Sequence, residues 1–150
     1  MVASKTFEHR SLIPAPAERV MAFHQDPRAL SKSTLPLILI QILRDDRTSL
    51  TSGEIEFNLW MGPCPIRWVA EHLPGPIPTS FTDRMVRGPL AMWEHQHRFE
   101  PLGDNTQLVD HITFAHKSGP TGWFTRLMFD GLPLRLMFIY RHWRTRRALA

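Results

Sequence analysis

Residues 92–101, MWEHQHRFEP, hold the densest group of side chains able to do chemistry. In an extended chain successive side chains alternate between faces, so Trp93, His95, His97 and Phe99 share one face. Met92, Glu94, Gln96 and Arg98 take the other, soluble face. Two imidazoles beside a tryptophan and a phenylalanine suggest polar groups set into an apolar wall. Neighbouring segments supply matching acids. Phe81, Asp83 and Met85 alternate together, as do Leu108, Asp110, Ile112 and Phe114, and His72 shares a face with Ile66, Trp68 and Ala70. The candidate inward polar set is His72, Asp83, His95, His97 and Asp110.

Register follows from requiring the inward faces of adjacent strands to match. A three-residue connection at Gly88, Pro89 and Leu90 sets Asp83 opposite His95. A six-residue connection from Pro101 to Thr106 sets His97 opposite Asp110. Opposed residues lie roughly 4.5–5.5 Å apart at Cβ, within reach of carboxylate–imidazole hydrogen bonds. Inward carboxylates require such partners, because a buried unpaired charge is very unfavourable. Four chemistries fit the pattern: a structural network stitching the strands, a polar handle for a ligand, acid–base work by a histidine, or metal binding by His95 and His97 with His72 or a carboxylate. No metal and no cofactor are expected, and no residue is assigned a catalytic role.

The bulk numbers set the frame. At 150 residues, 43% hydrophobic and 21% charged, the chain fits one domain, 1–150, with a core that needs no disulfide staples. Cys64 is the one cysteine, which excludes an intramolecular disulfide and a thiolate zinc cluster. The N-terminal MVASKTFEHRS lacks a signal peptide's apolar core, and LPLILIQIL is far shorter than the roughly 20 residues that span a bilayer. A cytoplasmic location without stable membrane insertion is the expectation. The pI is near 10.0 but the net charge is only +4. Arg135, Arg141, Arg144, Arg146 and Arg147 gather near the C-terminus, reading as a solvated helix end or as an anion- or membrane-surface patch. No nucleic-acid motif, glycine-rich phosphate loop or nucleophile elbow accompanies them, so no nucleic-acid partner is expected. Oligomeric state is left open.

Periodicity supplies the elements. KTFEHRSLI (5–13) alternates as a strand, and APAERVMAFH follows as a short helix with Val20, Met21 and Phe23 on its apolar side. DPRALS opens a second, with Asp26 as N-cap and Pro27 at the first helical position. LILIQIL (37–43) reads as a well-covered strand, apolar on both faces. Strands follow at 52–60, 66–73, 79–87, 92–101 and 107–115, broken by glycine and proline clusters. In the last segment Phe124, Leu127, Met128, Leu132, Leu136, Ile139, Tyr140 and Trp143 recur at helical spacing, a stripe expected to bury against the sheet. Gly131 and Pro133 should kink or split that helix.

This order, with FTDRMVRGPLAMWEHQHRF (81–99), PIRW (65–68), Asp110 and YRH (140–142), resembles the START-like, SRPBCC superfamily of polyketide cyclases/dehydrases and lipid-transport proteins. The likeness extends over nearly the whole chain and is strongest to a bacterial ligand-binding subgroup. It implies an α+β helix-grip fold: a curved seven-stranded antiparallel sheet wrapped around a long C-terminal helix, with two short helices after strand 1 and a cavity between. The implied function is binding or transport of a small hydrophobic molecule, lipid-like or aromatic and polyketide-like. The expected ligand-binding residues are His72, Asp83, Trp93, His95, His97, Asp110, Trp68, Phe57 and Phe114. A cyclase/dehydratase-type enzyme using the same histidines and aspartates is one alternative, and a structural or interaction protein with a filled core is another.

Overall fold

The computed structural model describes residues 3–26 and 28–150. The chain runs β1 (Lys5–Ile13), α1 (Ala17–Gln25), α2 (Ala29–Lys32), β2 (Ile38–Asp45), β3 (Gly53–Met61), β4 (Cys64–Pro74), β5 (Ser80–Arg87), β6 (Met92–Leu102), β7 (Asn105–Ala115), α3 (Gly119–Met128) and α4 (Gly131–Leu149). The strands form one antiparallel sheet in the order β1-β7-β6-β5-β4-β3-β2, so β1 and β2 are its edges and α1 and α2 connect them. This is the α+β helix-grip arrangement expected from the sequence.

The alternating pattern sets the register. In β6, Trp93, His95, His97 and Phe99 are all buried. Asp83 pairs with His95 across β5 and β6, and His97 pairs with Asp110 across β6 and β7. The second connection is tighter than expected. Pairing continues to Leu102 and Asn105, leaving Gly103 and Asp104 as the turn. Gly103 takes φ +60, as a two-residue hairpin turn with glycine first requires. Extending both strands equally leaves the register of His97 and Asp110 unchanged.

Three expectations need correction or qualification. The 37–43 strand is not well covered: β2 is an edge strand, and Leu39, Ile42 and Leu43 are exposed. Its apolar residues on both faces reflect neither a covered strand nor a central place in the sheet. Asp26 does cap a turn, its carboxylate accepting from Arg28 N at 2.9 Å, but α2 starts at Ala29 and Pro27 lies outside the described residues. The third correction concerns the C-terminal helix. It is split as expected, into α3 and α4, with Asp130 capping α4 by accepting from Gly131 N at 2.8 Å. The buried face of α4, however, is Leu134, Phe138, His142, Thr145 and Leu149. Leu132, Leu136, Ile139 and Trp143 remain exposed, because the face carrying His142 can bond into the sheet while theirs cannot.

Two apolar clusters hold the layers together. One gathers Phe57, Trp68, Trp93, Phe114, Phe129 and Phe138 between the sheet and the C-terminal helices. The other joins Ile13, Val20, Phe81, Phe99, Leu108 and Leu149 beneath α1. Side chains of this size contribute roughly 1.5–3 kcal/mol each on full burial.

Candidate functional site

Register alone places the polar set in two adjacent rows. His72, Asp83 and His95 lie side by side across β4, β5 and β6. Phe81, His97, Asp110 and His9 form the next row. The near ring nitrogens face the directly opposed acids: His97 Nδ1 lies 3.1 Å from Asp110 Oδ1, and His95 Nδ1 lies 3.7 Å from Asp83 Oδ2. The far nitrogens overshoot to the diagonal acids. His95 Nε2–H donates to Asp110 Oδ1 at 2.6 Å, and His97 Nε2–H donates to Asp83 Oδ2 at 2.6 Å. The pairs therefore form crosswise, each histidine touching both carboxylates.

Asp110 has a third partner. His142 Nε2–H on α4 donates to its Oδ2 at 2.5 Å, and His142 Nδ1 lies 2.5 Å from Ser11 Oγ on β1. The Asp110 carboxylate thus ties the gripping helix to β6 and β7, and His142 itself ties it to β1. The rings also stack: His72, Phe81, His97 and His95 form a column with centroid spacings of 5.3, 4.1 and 3.6 Å.

The electrostatics sort these groups into roles. Burial alone would raise the Asp83 and Asp110 carboxyls, but the surrounding histidines outweigh it and hold both below their ordinary values. Both are ionised. Burial resists charging His97 too, yet Asp110 and Asp83 on either side raise its pKa. Burial and the neighbouring His97 charge lower His95 to about 4. The core of the site is a histidine, His97, whose proton affinity two flanking carboxylates raise, beside the neutral imidazole of His95.

A cavity of about 140 Å³ opens against this wall. Of the nine expected residues, His72, Asp83, Trp93, His95, His97, Trp68 and Phe57 line it. Asp110 and Phe114 do not. Asp110 sits behind the histidines and aims them, and Phe114 is packed in the apolar cluster at 2% exposure. The rest of the lining is largely apolar, with Ile55, Met137, Phe129 and Phe138 beside an aromatic pair in which Trp68 meets Trp93 edge-on at 5.6 Å. Trp123 of α3 is 72% exposed and does not line the cavity.

Three contributors escaped the sequence reading. His24, at the end of α1, lines the cavity, and its Nδ1–H donates to Val20 O at 2.9 Å. Burial and the His97 charge lower its pKa to about 3, so Nε2 is a bare acceptor. His72 is built alike: its Nδ1–H donates to Leu50 O at 3.0 Å, and burial lowers its pKa. Arg141 of α4 also lines the cavity. Nothing local marks His24, since only the docking of α1 on the sheet brings it there. His142 had a signal in its four-residue step from Phe138, which puts both on one helix face.

Asp83, His95 and His97 offer ligand atoms within 4.8 Å of one another. A metal ion there would have to displace the His97–Asp83 hydrogen bond within the trio and the His95–Asp110 hydrogen bond beside it.

The fold recurs among solved structures. A START superfamily protein from Mycobacterium smegmatis superposes with TM-score 0.70 at 14% identity, over 96% of each chain. The Zhui aromatase/cyclase from Streptomyces sp. R1128 gives 0.69 at 16% identity, over 98% of this chain and 92% of that one. A nucleoside-diphosphate sugar epimerase from Corynebacterium glutamicum gives 0.68 at 26% identity, over 95% of this chain but 29% of that one. No curated protein sequence matches the chain. Family and fold together support a ligand-binding or cyclase-like role. Residues 13–137, from the end of β1 into α4, match the family described as polyketide cyclase / dehydrase and lipid transport, and the chain belongs to it.

Proposed function

We propose that the protein binds a small, largely apolar, ring-bearing molecule in the cavity and holds its polar end on the histidine wall. The observation that carries this is the mixed lining of one cavity: mostly aromatic and aliphatic side chains, with His72, Asp83, His95 and His97 gathered on the adjoining strands β4, β5 and β6. Its volume, about 140 Å³, is close to the ~150 Å³ void that holds benzene in another protein. That argues against a filled core. Bare imidazole nitrogens on His24 and His72 accept a hydrogen bond, which favours a hydroxyl-bearing ligand over a pure hydrocarbon.

Titration calorimetry with 1-naphthol and naphthalene tests this. The expected result is saturable one-to-one binding of 1-naphthol, about fivefold tighter than naphthalene for one added hydrogen bond. Met137→Trp, which fills the cavity from its half-buried side, should abolish both. Absence of saturable binding by either probe would overturn the proposal.

A second reading has its own observation. His97, with its pKa raised by two carboxylates, and the neutral ring of His24 meet edge to face with centroids 6.2 Å apart, two imidazoles of opposite pKa shift on one cavity. That arrangement fits the proton transfers of a cyclase or dehydratase, and one structural relative is named an aromatase/cyclase. Deuterium exchange at the α-carbon of 2-tetralone, followed by NMR, separates the readings. Exchange accelerated by the protein and lost in His24→Phe indicates catalysis. Binding without acceleration indicates a carrier.

A further inference from the structure

The apolar stripe of α4 that its periodicity singles out is not used by the fold. Leu132, Leu136, Ile139 and Trp143 follow one another at steps of four, three and four, which line one helix face. All are exposed, from 46% for Ile139 to 64% for Leu132. On α3, Trp123 and Leu127 are exposed as well. Single exposed apolar residues need no explanation, but a continuous run along one helix marks a contact surface.

The charges beside it narrow the partner. Neither α3 nor α4 contains an acidic residue, and together they carry six arginines. Arg144 is engaged with Lys32 O and Arg141 lines the cavity. At about 100° per residue, Arg135, Arg146 and Arg147 fall on the two flanks of the Leu–Ile–Trp stripe. Arg147 lies over the Trp143 ring, 5.4 Å from its centroid. The nearest acid in sequence, Asp130, is held by Lys5 and His116.

We propose that this face of α4 docks the protein on an anionic lipid surface. Leu136, Ile139 and Trp143 enter the boundary between headgroups and acyl chains, and the flanking arginines bind lipid phosphates. An apolar strip bordered by arginine, with tryptophan at its edge, matches that interface in both polarity and charge. A second copy docking through the same face would set arginines against arginines. No helix among the described residues is long and apolar enough to cross a membrane, so the contact is peripheral. This inference does not rest on what the cavity binds.

Vesicle co-sedimentation is the test, using phosphatidylcholine alone and phosphatidylcholine containing about one-third phosphatidylglycerol. The expected result is binding to the anionic vesicles alone, weakened by salt, with a blue shift of tryptophan emission that shrinks in Trp143→Phe. Reversal of Arg146 and Arg147 to glutamate should weaken binding by more than about 20-fold, roughly fivefold per arginine lost. Leu136→Asp with Ile139→Asp should abolish it. Both positions are exposed, and unchanged thermal melts of the variants show that the fold is intact. No vesicle binding, equal binding to neutral vesicles, or full binding by the variants would each overturn the proposal. So would a concentration-dependent dimer that these same substitutions dissolve in the absence of vesicle binding.

Discussion

Replacing Asp110 by asparagine removes a single charge at the point where the site and the gripping helix meet. The aspartate accepts from His95 at 2.6 Å and His142 at 2.5 Å, and lies 3.1 Å from His97. Asparagine keeps the shape but offers one acceptor oxygen and one donor amide. Whichever way it turns, an imidazole N–H meets an N–H. Hydrogen bonds to charged groups contribute roughly 1.5–3 kcal/mol each, and breaking a buried ion pair costs roughly 3–5 kcal/mol. The expected loss is about 3–5 kcal/mol, a large part of the roughly 5–15 kcal/mol that holds a typical domain folded. Urea denaturation at pH 7, followed by tryptophan emission, measures it. The same variant should lower the His97 pKa, because one of its two carboxylates is gone. A cost below about 1 kcal/mol with an unmoved His97 would refute the network as described.

Acid should destabilise the fold before its carboxylates titrate. His24 and His95 are held neutral, with pKa lowered from 6.5 to about 3 and about 4. As pH falls from 6.5 the unfolded chain takes up these protons and the folded one does not, costing about 1.4 kcal/mol per pH unit per group at most. Asp83 and Asp110, lowered in the fold, add their loss below about pH 4. His97 has the opposite sign: its stabilisation is complete below pH 6.5 and fades as pH rises through its raised value. A melting temperature that is flat from pH 6.5 to 5 would contradict this. Gly122→Ala should unfold α3 or shift it, since a Cβ there would stand 1.6 Å from Lys117 O; an unchanged melt would show that the backbone yields freely. Dialysis against EDTA should leave the melting temperature unchanged, because His97 bonds to Asp83 and His95 to Asp110 without an ion; a fall would assign Asp83, His95 and His97 to a metal.

Period-two alternation made much of the site legible. Where His95, His97, Asp83 and Asp110 replace apolar residues on otherwise apolar faces, face matching yields the register directly. The crosswise bonding was not legible, because it depends on the reach of an imidazole beyond its opposite neighbour. Helical periodicity located α4 but chose the wrong face. Leu132, Leu136, Ile139 and Trp143 are more hydrophobic than the face that is buried, which includes His142 and Thr145. His142 is tolerated inside because Asp110 and Ser11 bond to it, a fact of tertiary contact. The edge position of β2 likewise depends on strand order, and His24 reaches the cavity only through the docking of α1.

The most direct test of the central claim is 15N NMR of the histidine rings at pH 7, with and without 1-naphthol. His97 should show an imidazolium signature, and His24, His72 and His95 neutral rings. Added 1-naphthol should shift these cavity histidines and leave the distant His116 untouched. A neutral His97, or cavity histidines indifferent to the ligand, would contradict that claim.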